Sequence, residues 1–161
     1  MEAFKLVNFK HEHNTNMPIV RSIEGSECEA VCRSLFHRWH VNTPEEFFKK
    51  EEQEFVLLDD INAEDEDLDW NKVFNRIGIP VPNEVFINFE RFNNVDVFLF
   101  KDFCKYFDDI WYPAADDIEV FDASFNWIVS VKHYGAVHYA NALLLSLTIL
   151  FFLFINFSTL Q

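Results

Sequence analysis

The sequence predicts an α+β fold with a mostly antiparallel sheet and N-terminal helices. Three observations carry this. Apolar residues at three-and-four spacing dominate the first half, β-branched and aromatic runs dominate the second, and the chain contains no internal repeat. The composition is half hydrophobic, with 20 Phe against 3 Gly, so the chain carries the large apolar groups that offset the entropy of ordering and is expected to fold. Its 161 residues suit one domain, assigned to 1–141, followed by a hydrophobic segment at 142–161.

Taken in order, residues 1–24 show no clean period, and the polar stretch Lys10 to Asn16, with His11 and His13, reads as a loop or irregular entry. From Ser26, the residues Cys28, Val31, Cys32, Leu35, Phe36 and Trp39 share one helical face, and Ser26 with Glu29 has the spacing of a capping box. A second helix is expected to about Gln53, capped by Thr43, with Pro44 at its first position and Glu45 and Glu46 at the positive end of its dipole. Phe55 to Leu58 reads as a buried strand and Asp59 to Asp69 as an acidic loop. Asp69 then caps a helix carrying Trp70, Val73, Phe74 and Ile77, which Gly78, Pro80 and Pro82 end.

Past Pro82, Val85 to Phe89 and Val95 to Phe100 are expected to form a hairpin around Asn93-Asn94. Phe103, Tyr106, Phe107, Ile110 and Trp111 return to helical spacing until Pro113. Ile118 to Phe121, Trp127 to Val131 and Ala136 to Tyr139 then read as strands, the last two joined through His133-Tyr134-Gly135.

From Ala142 to Leu160 the chain carries no charge, close to the ~20 residues that cross a bilayer core. Three readings stand open: a helical tail anchor, a core element, or a late addition to the coding frame. Because no Asp, Glu, Lys or Arg follows Lys132, the basic residues near the segment all precede it, and an inserted tail would leave the domain on the cytoplasmic side.

Charge narrows the class of partner. With 27 acidic and 13 basic side chains the formal net charge is −14, which repels nucleic-acid phosphates and favours a basic partner. Three cysteines, an odd number, and an N-terminus without the apolar core of a secretory signal fit reduced thiols in the cytoplasm. Cys28 and Cys32, with His37 and His40 beyond them, raise a zinc reading, but the cysteines share the apolar face of Leu35 and Trp39, and no second pair follows at zinc-ribbon spacing. The acidic run lacks the glycine of a calcium-binding loop. Neither a nucleophile elbow nor a glycine-rich phosphate loop is present. No catalytic residue, cofactor or metal is expected.

The candidate partner-binding residues form two groups. Asp59, Asp60, Glu64, Asp65, Glu66 and Asp67 read either as a solvated loop or as a docking surface for a basic protein. Asp108, Asp109, Asp116 and Asp117 flank Trp111 and Tyr112; they read either as caps and loop residues at a helix-to-strand crossing, or as an acidic rim around aromatic anchors.

Trp111-Tyr112-Pro113-Ala114-Ala115-Asp116-Asp117-Ile118-Glu119-Val120-Phe121-Asp122, followed by Phe125 to Val129 and the turn at His133, resembles the C-terminal part of small bacterial immunity-type proteins encoded beside polymorphic or contact-dependent toxins. The resemblance covers about 30 residues. It implies a cytoplasmic, non-enzymatic protein that binds a cognate toxin domain and occludes its active site, and it supplies no catalytic residues. The sequence departs from that pattern at its end, where the apolar segment continues past the last strand. The expected function is thus toxin neutralisation, with a membrane-anchored adaptor that recruits a basic protein as the alternative.

Overall fold

A computed structural model describes residues 1–142 and shows an α+β domain built on one seven-stranded antiparallel sheet. Its elements are α1 (Ala3–His13), β1 (Ile19–Glu24), α2 (Gly25–Arg38), α3 (Pro44–Glu54), β2 (Val56–Asn62), α4 (Trp70–Arg76), β3 (Glu84–Asn88), β4 (Asn94–Leu99), α5 (Phe100–Lys105), α6 (Phe107–Ile110), β5 (Ile118–Phe121), β6 (Trp127–Val131) and β7 (Ala136–Asn141). The strands lie in the order β1-β4-β3-β5-β6-β7-β2. From Leu143 onward the apolar segment lies outside the described residues, and with it all three readings of the tail. Among the described residues no helix is long and apolar enough to cross a membrane.

Both faces of the sheet are covered, which is why its central strands read as continuous apolar runs rather than as alternation. On one face α1, α4, α5 and α6 bring Phe9, Trp70, Phe74, Phe103 and Phe107 against Val85, Ile87, Phe98, Val120 and Val129. On the other, α2 and α3 lay Cys28, Leu35, Trp39 and Phe47 against Phe86, Val95, Val97, Phe121 and Ile128. Because β1 and β2 are opposite edges of the sheet, α2 and α3 between them carry the chain across its whole width. That crossing brings the end of α3 over β6 and β7.

Local signals explain the starts of α3 and α4. Thr43 accepts the Glu46 backbone N–H at 3.2 Å, with Pro44 in the first position. Asp69 caps α4 by accepting the Asn71 N–H at 2.9 Å. The capping box at Ser26 and Glu29 is not made: β1 turns directly into α2 at Gly25, whose φ is +56°, so Ser26 already lies inside the first turn. The N-terminal segment is also a correction. Residues 3–13 form a helix and 19–24 an edge strand, because α1 buries only Phe9 and, unexpectedly, the charged Lys5, leaving no apolar stripe to read.

The acidic stretch from Asp59 is a loop only in part. Asp59 and Asp60 belong to β2, and only Ala63 onward leaves the strand. Of the apolar run before them, Leu58 alone is buried, because β2 is an edge strand with one side open to solvent. Strand β2 pairs with β7 at Val56↔Tyr139, Leu57↔His138 and Asn62↔Ala136, so the residues between Leu57 and Asn62 bulge out of register. The β6–β7 turn holds the far end: Gly135, at φ +85°, accepts the Ala63 N–H at 2.7 Å, and a Cβ there would sit 1.9 Å from Asn62 Oδ1.

Candidate functional site

The twelve residues singled out from sequence fall in three separate places. Asp59, Asp60, Glu64, Asp65, Glu66 and Asp67 are all exposed along the β2 edge and the turn after it. Beside them Val56 and Leu57 keep about half of their surface in solvent (53% and 50%), so this edge is both acidic and apolar.

The second place is the packed face around α1 and α6. Trp111 is core rather than an exposed anchor: it is 2% exposed, stacks on Phe107 at 5.5 Å, and donates its indole N–H to the Asp116 carbonyl at 2.8 Å. Asp116 is buried too. Its carboxylate pairs with the Lys5 ammonium and accepts the Tyr112 backbone N–H at 2.6 Å, which closes the Tyr112–Asp116 loop. The Lys5 Nζ also donates to the Ile110 carbonyl at 2.7 Å and lies 4.5 Å from the Phe89 ring centre and 4.8 Å from that of Tyr112. Burial holds the Lys5 ammonium below its usual range, and Asp116 opposes that shift. Asp109 is half-buried and bonds His13 at 2.9 Å, whereas Asp108 is exposed. The physical reason for this correction is the α5–α6 break at Tyr106, which turns the aromatic run inward so that its Trp fills the core.

The third place, reached from that list only by Asp117, is a cleft of about 500 Å³ on the opposite face of the sheet. Phe48, Glu51, Glu52 and Phe55 of α3 and its C-terminal end form one wall; Leu57 of β2 and His138 of β7 form the floor toward the edge; Glu90, Asp117, Lys132 and Tyr134 close the end where three turns meet. Four carboxylates thus face one ammonium.

Strand register builds the floor. Asn88 pairs with Glu119, Glu119 with Ser130, Ser130 with His138, and His138 with Leu57, so one row of polar side chains runs across four strands and ends at the exposed edge. Asn88 and Ser130 are fully buried, as is Glu119. The Asn88 side-chain amide donates to Glu119 Oε2 at 2.5 Å, and its carbonyl accepts the Phe92 N–H at 2.9 Å. Ser130 donates its hydroxyl to Glu51 Oε1, which also receives Lys132 Nζ at 2.7 Å; Glu90 lies 3.6 Å from the same ammonium. Two buried atoms of the row have no protein partner: Glu119 Oε1 and His138 Nδ1.

These surroundings set the charges. Burial, reinforced by the negative Glu51, pushes the Glu119 carboxyl up to about 8. Burial and then Asp117 raise Glu90. Burial also works against ionised Asp117, but the His133 backbone N–H and ring, with Lys132, outweigh it and hold that carboxylate low. For Lys132, burial is outweighed by Glu51, Glu119 and Glu90, and the ammonium is held above its usual range. Burial lowers His138 despite Glu51. The cleft therefore presents an excess of negative charge, a neutral imidazole and a buried carboxylic acid.

The two cysteines of the zinc reading lie in the α2 core, their sulfurs 3.9 Å apart and each near the Phe92 carbonyl. Burial raises both thiols, Cys32 to about 12. Among the described residues the potential metal ligands that come within reach of one another in threes are Glu12, His13 and Asp109, at the end of α1 and not in the cleft.

Sequence reading missed Glu51, Glu90, Glu119, Lys132 and His138. The available signal was a polar residue inside otherwise apolar strand runs, as at Glu119 between Ile118 and Val120 and Ser130 between Val129 and Val131. Compared with protein-family models, curated proteins and solved structures, the chain matches none.

Proposed function

We propose that the chain is a non-catalytic protein-binding domain, an immunity-type protein that neutralises a cognate toxin by covering its active site. The observation that supports this most is one continuous surface: the bulged, acidic β2 edge with exposed Val56 and Leu57 opens at Leu57 into the acidic cleft. Apolar groups rimmed by one sign of charge are what a complementary partner needs, since opposite charge speeds encounter and buried apolar area slows release. The bulge and its acids also spoil β2 as a template for strand addition, which favours recognition through side chains. The partner is a basic protein, in keeping with the formal net charge of −14. A cytoplasmic location accords with the three free cysteines.

The test is a search of the reading frames beside this one for a toxin-like domain, followed by co-expression of the chain with that domain. The expected result is that growth is restored by the chain, and that protection is lost when Asp59, Asp60, Asp65 and Asp67 are replaced together by Lys. A stable, folded chain that forms no complex and gives no protection would overturn the reading.

A further inference from the structure

We propose that the cleft between α3 and the β6–β7 turn is a binding site for a guanidinium group, supplied by an arginine side chain of the basic partner. This deepens the binding reading above and rests on it for the source of the arginine.

Three features select the ligand. The first is charge: Glu51, Glu90 and Asp117 meet a single ammonium, that of Lys132, so the lining attracts a further cation. The second is unmet hydrogen bonding. Glu119 Oε1 is wholly buried and unpartnered on the same sheet face as Ser130 and His138, and the charges acting on it are those of Glu51, Lys132 and Glu90, all residues of the cleft. His138 Nδ1, in the same row, also has no partner. Nearly all buried polar atoms in folded proteins are satisfied, so a row left open beneath a cleft points to a ligand, and a cation bound there favours the ionised form of Glu119, whose Oε1 then accepts rather than donates.

The third feature is shape. The carboxylates of the cleft form no group close enough to clasp a compact metal ion among the described residues, whereas a planar fork of five N–H donors reaches several separated acceptors at once. Phe48, Phe55 and Tyr134 supply aromatic surface on which such a plane stacks. The volume, about 500 Å³, lies within the ~300–1,000 Å³ of small-ligand pockets.

The experiment is a titration of the full chain, followed through its backbone amide NMR signals, with three probes: N-acetyl-arginine amide, the uncharged citrulline analogue and the lysine analogue. The expected result is saturable shifts around Glu90, Asp117, Lys132 and His138 with the arginine probe, at a Kd of order 1 mM. Citrulline should produce none, and lysine should bind several-fold more weakly. Glu90→Gln combined with Asp117→Asn should weaken the arginine probe about tenfold, while Glu29→Gln on the far side of α2 should leave it unchanged. Equal binding of arginine and citrulline, equal binding of arginine and lysine, shifts that map elsewhere, or no saturation would each overturn the assignment. Failure here with protection intact in cells removes the arginine site alone; arginine binding without protection removes the toxin reading alone.

Discussion

The two faces of the sheet both bury an aromatic core and differ in how they hold their buried polar groups. On the α1/α4/α5/α6 face two charged pairs are buried, Lys5 with Asp116 and the Met1 ammonium with Asp96, and among the described residues only the Trp70 indole N–H is left without a partner. The first pair is well supplied: Nζ reaches Asp116 and the Ile110 carbonyl, and the carboxylate also takes the Tyr112 N–H. On the α2/α3 face a whole row of polar groups is buried and two of its atoms are left open. Strand β5 makes the contrast within four residues, since Ile118 and Val120 enter the first core while Glu119 and Phe121 turn to the second. A satisfied buried pair fixes a fold, whereas an open row lowers stability and persists for some other reason.

The largest expected effect breaks the packed face. Phe74 is fully buried, with Phe100 at 5.1 Å and Trp127 at 5.0 Å edge-on, so Phe74→Ala should cost about 3–5 kcal/mol in urea unfolding through lost transfer energy and the cavity left behind. If the loss is under ~1 kcal/mol, that face is not the tightly packed one.

Next comes the buried pair. Lys5→Met leaves Asp116 charged and buried without its cation and should cost about 3 kcal/mol or more, whereas adding Asp116→Asn to that variant should recover part of the loss by removing the stranded charge. Urea denaturation of the single and double variants decides this; a double variant that is the sum of two losses would mean that the Tyr112 contact outweighs the charge pairing.

A smaller effect, of opposite sign, is expected on the open face. Glu119 titrates near its ordinary value when unfolded and at about 8 when folded, under the influence of Glu51, Glu90 and Lys132. Below about pH 4.5 both states hold the proton and nothing is lost. As pH rises toward 8 the unfolded chain releases it while the folded chain keeps it, so stability falls across that window and stays low above it. Glu119→Gln is neutral in both states and keeps an acceptor for Asn88. Relative to wild type it should gain on the order of 1–3 kcal/mol by pH 8–9, with little difference at pH 4. Thermal unfolding of both chains across that range is the check, and parallel stability curves would show that Glu119 does not titrate in the window.

The same contrast explains what sequence made legible. Periodicity and caps located α2, α3 with Thr43, α4 with Asp69, the β3–β4 hairpin and the three closing strands, because each depends on residues near in the chain. Helix α1 escaped because its inward side holds Lys5 as well as Phe9, and a lysine gives no apolar signal. Trp111 was misplaced because an aromatic beside acids reads alike whether it fills a core or rims an interface. Of the candidate site, the β2 acids were legible as charge, but the cleft was not. Asn88, Glu119, Ser130 and His138 become neighbours only through the pairing of four strands, and Glu51 joins them only because α3 crosses the sheet.

The smallest effect on stability should carry the largest functional contrast. Asp59 and Asp60 lie on an exposed, bulged edge, and the basic group paired there, Arg76, sits 3.8 Å from Asp60 with both side chains mostly in solvent. Asp59→Asn with Asp60→Asn should therefore change unfolding free energy by no more than ~0.5 kcal/mol. Charge at a rim acts instead on encounter. Against a basic partner the double variant should associate several-fold more slowly at low salt and lose much of the wild-type salt dependence, with dissociation nearly unchanged. Surface-plasmon kinetics at two ionic strengths separate the two outcomes: a change confined to dissociation would place these aspartates in a dry contact, and no change in either rate would move recognition off the β2 edge and onto the cleft.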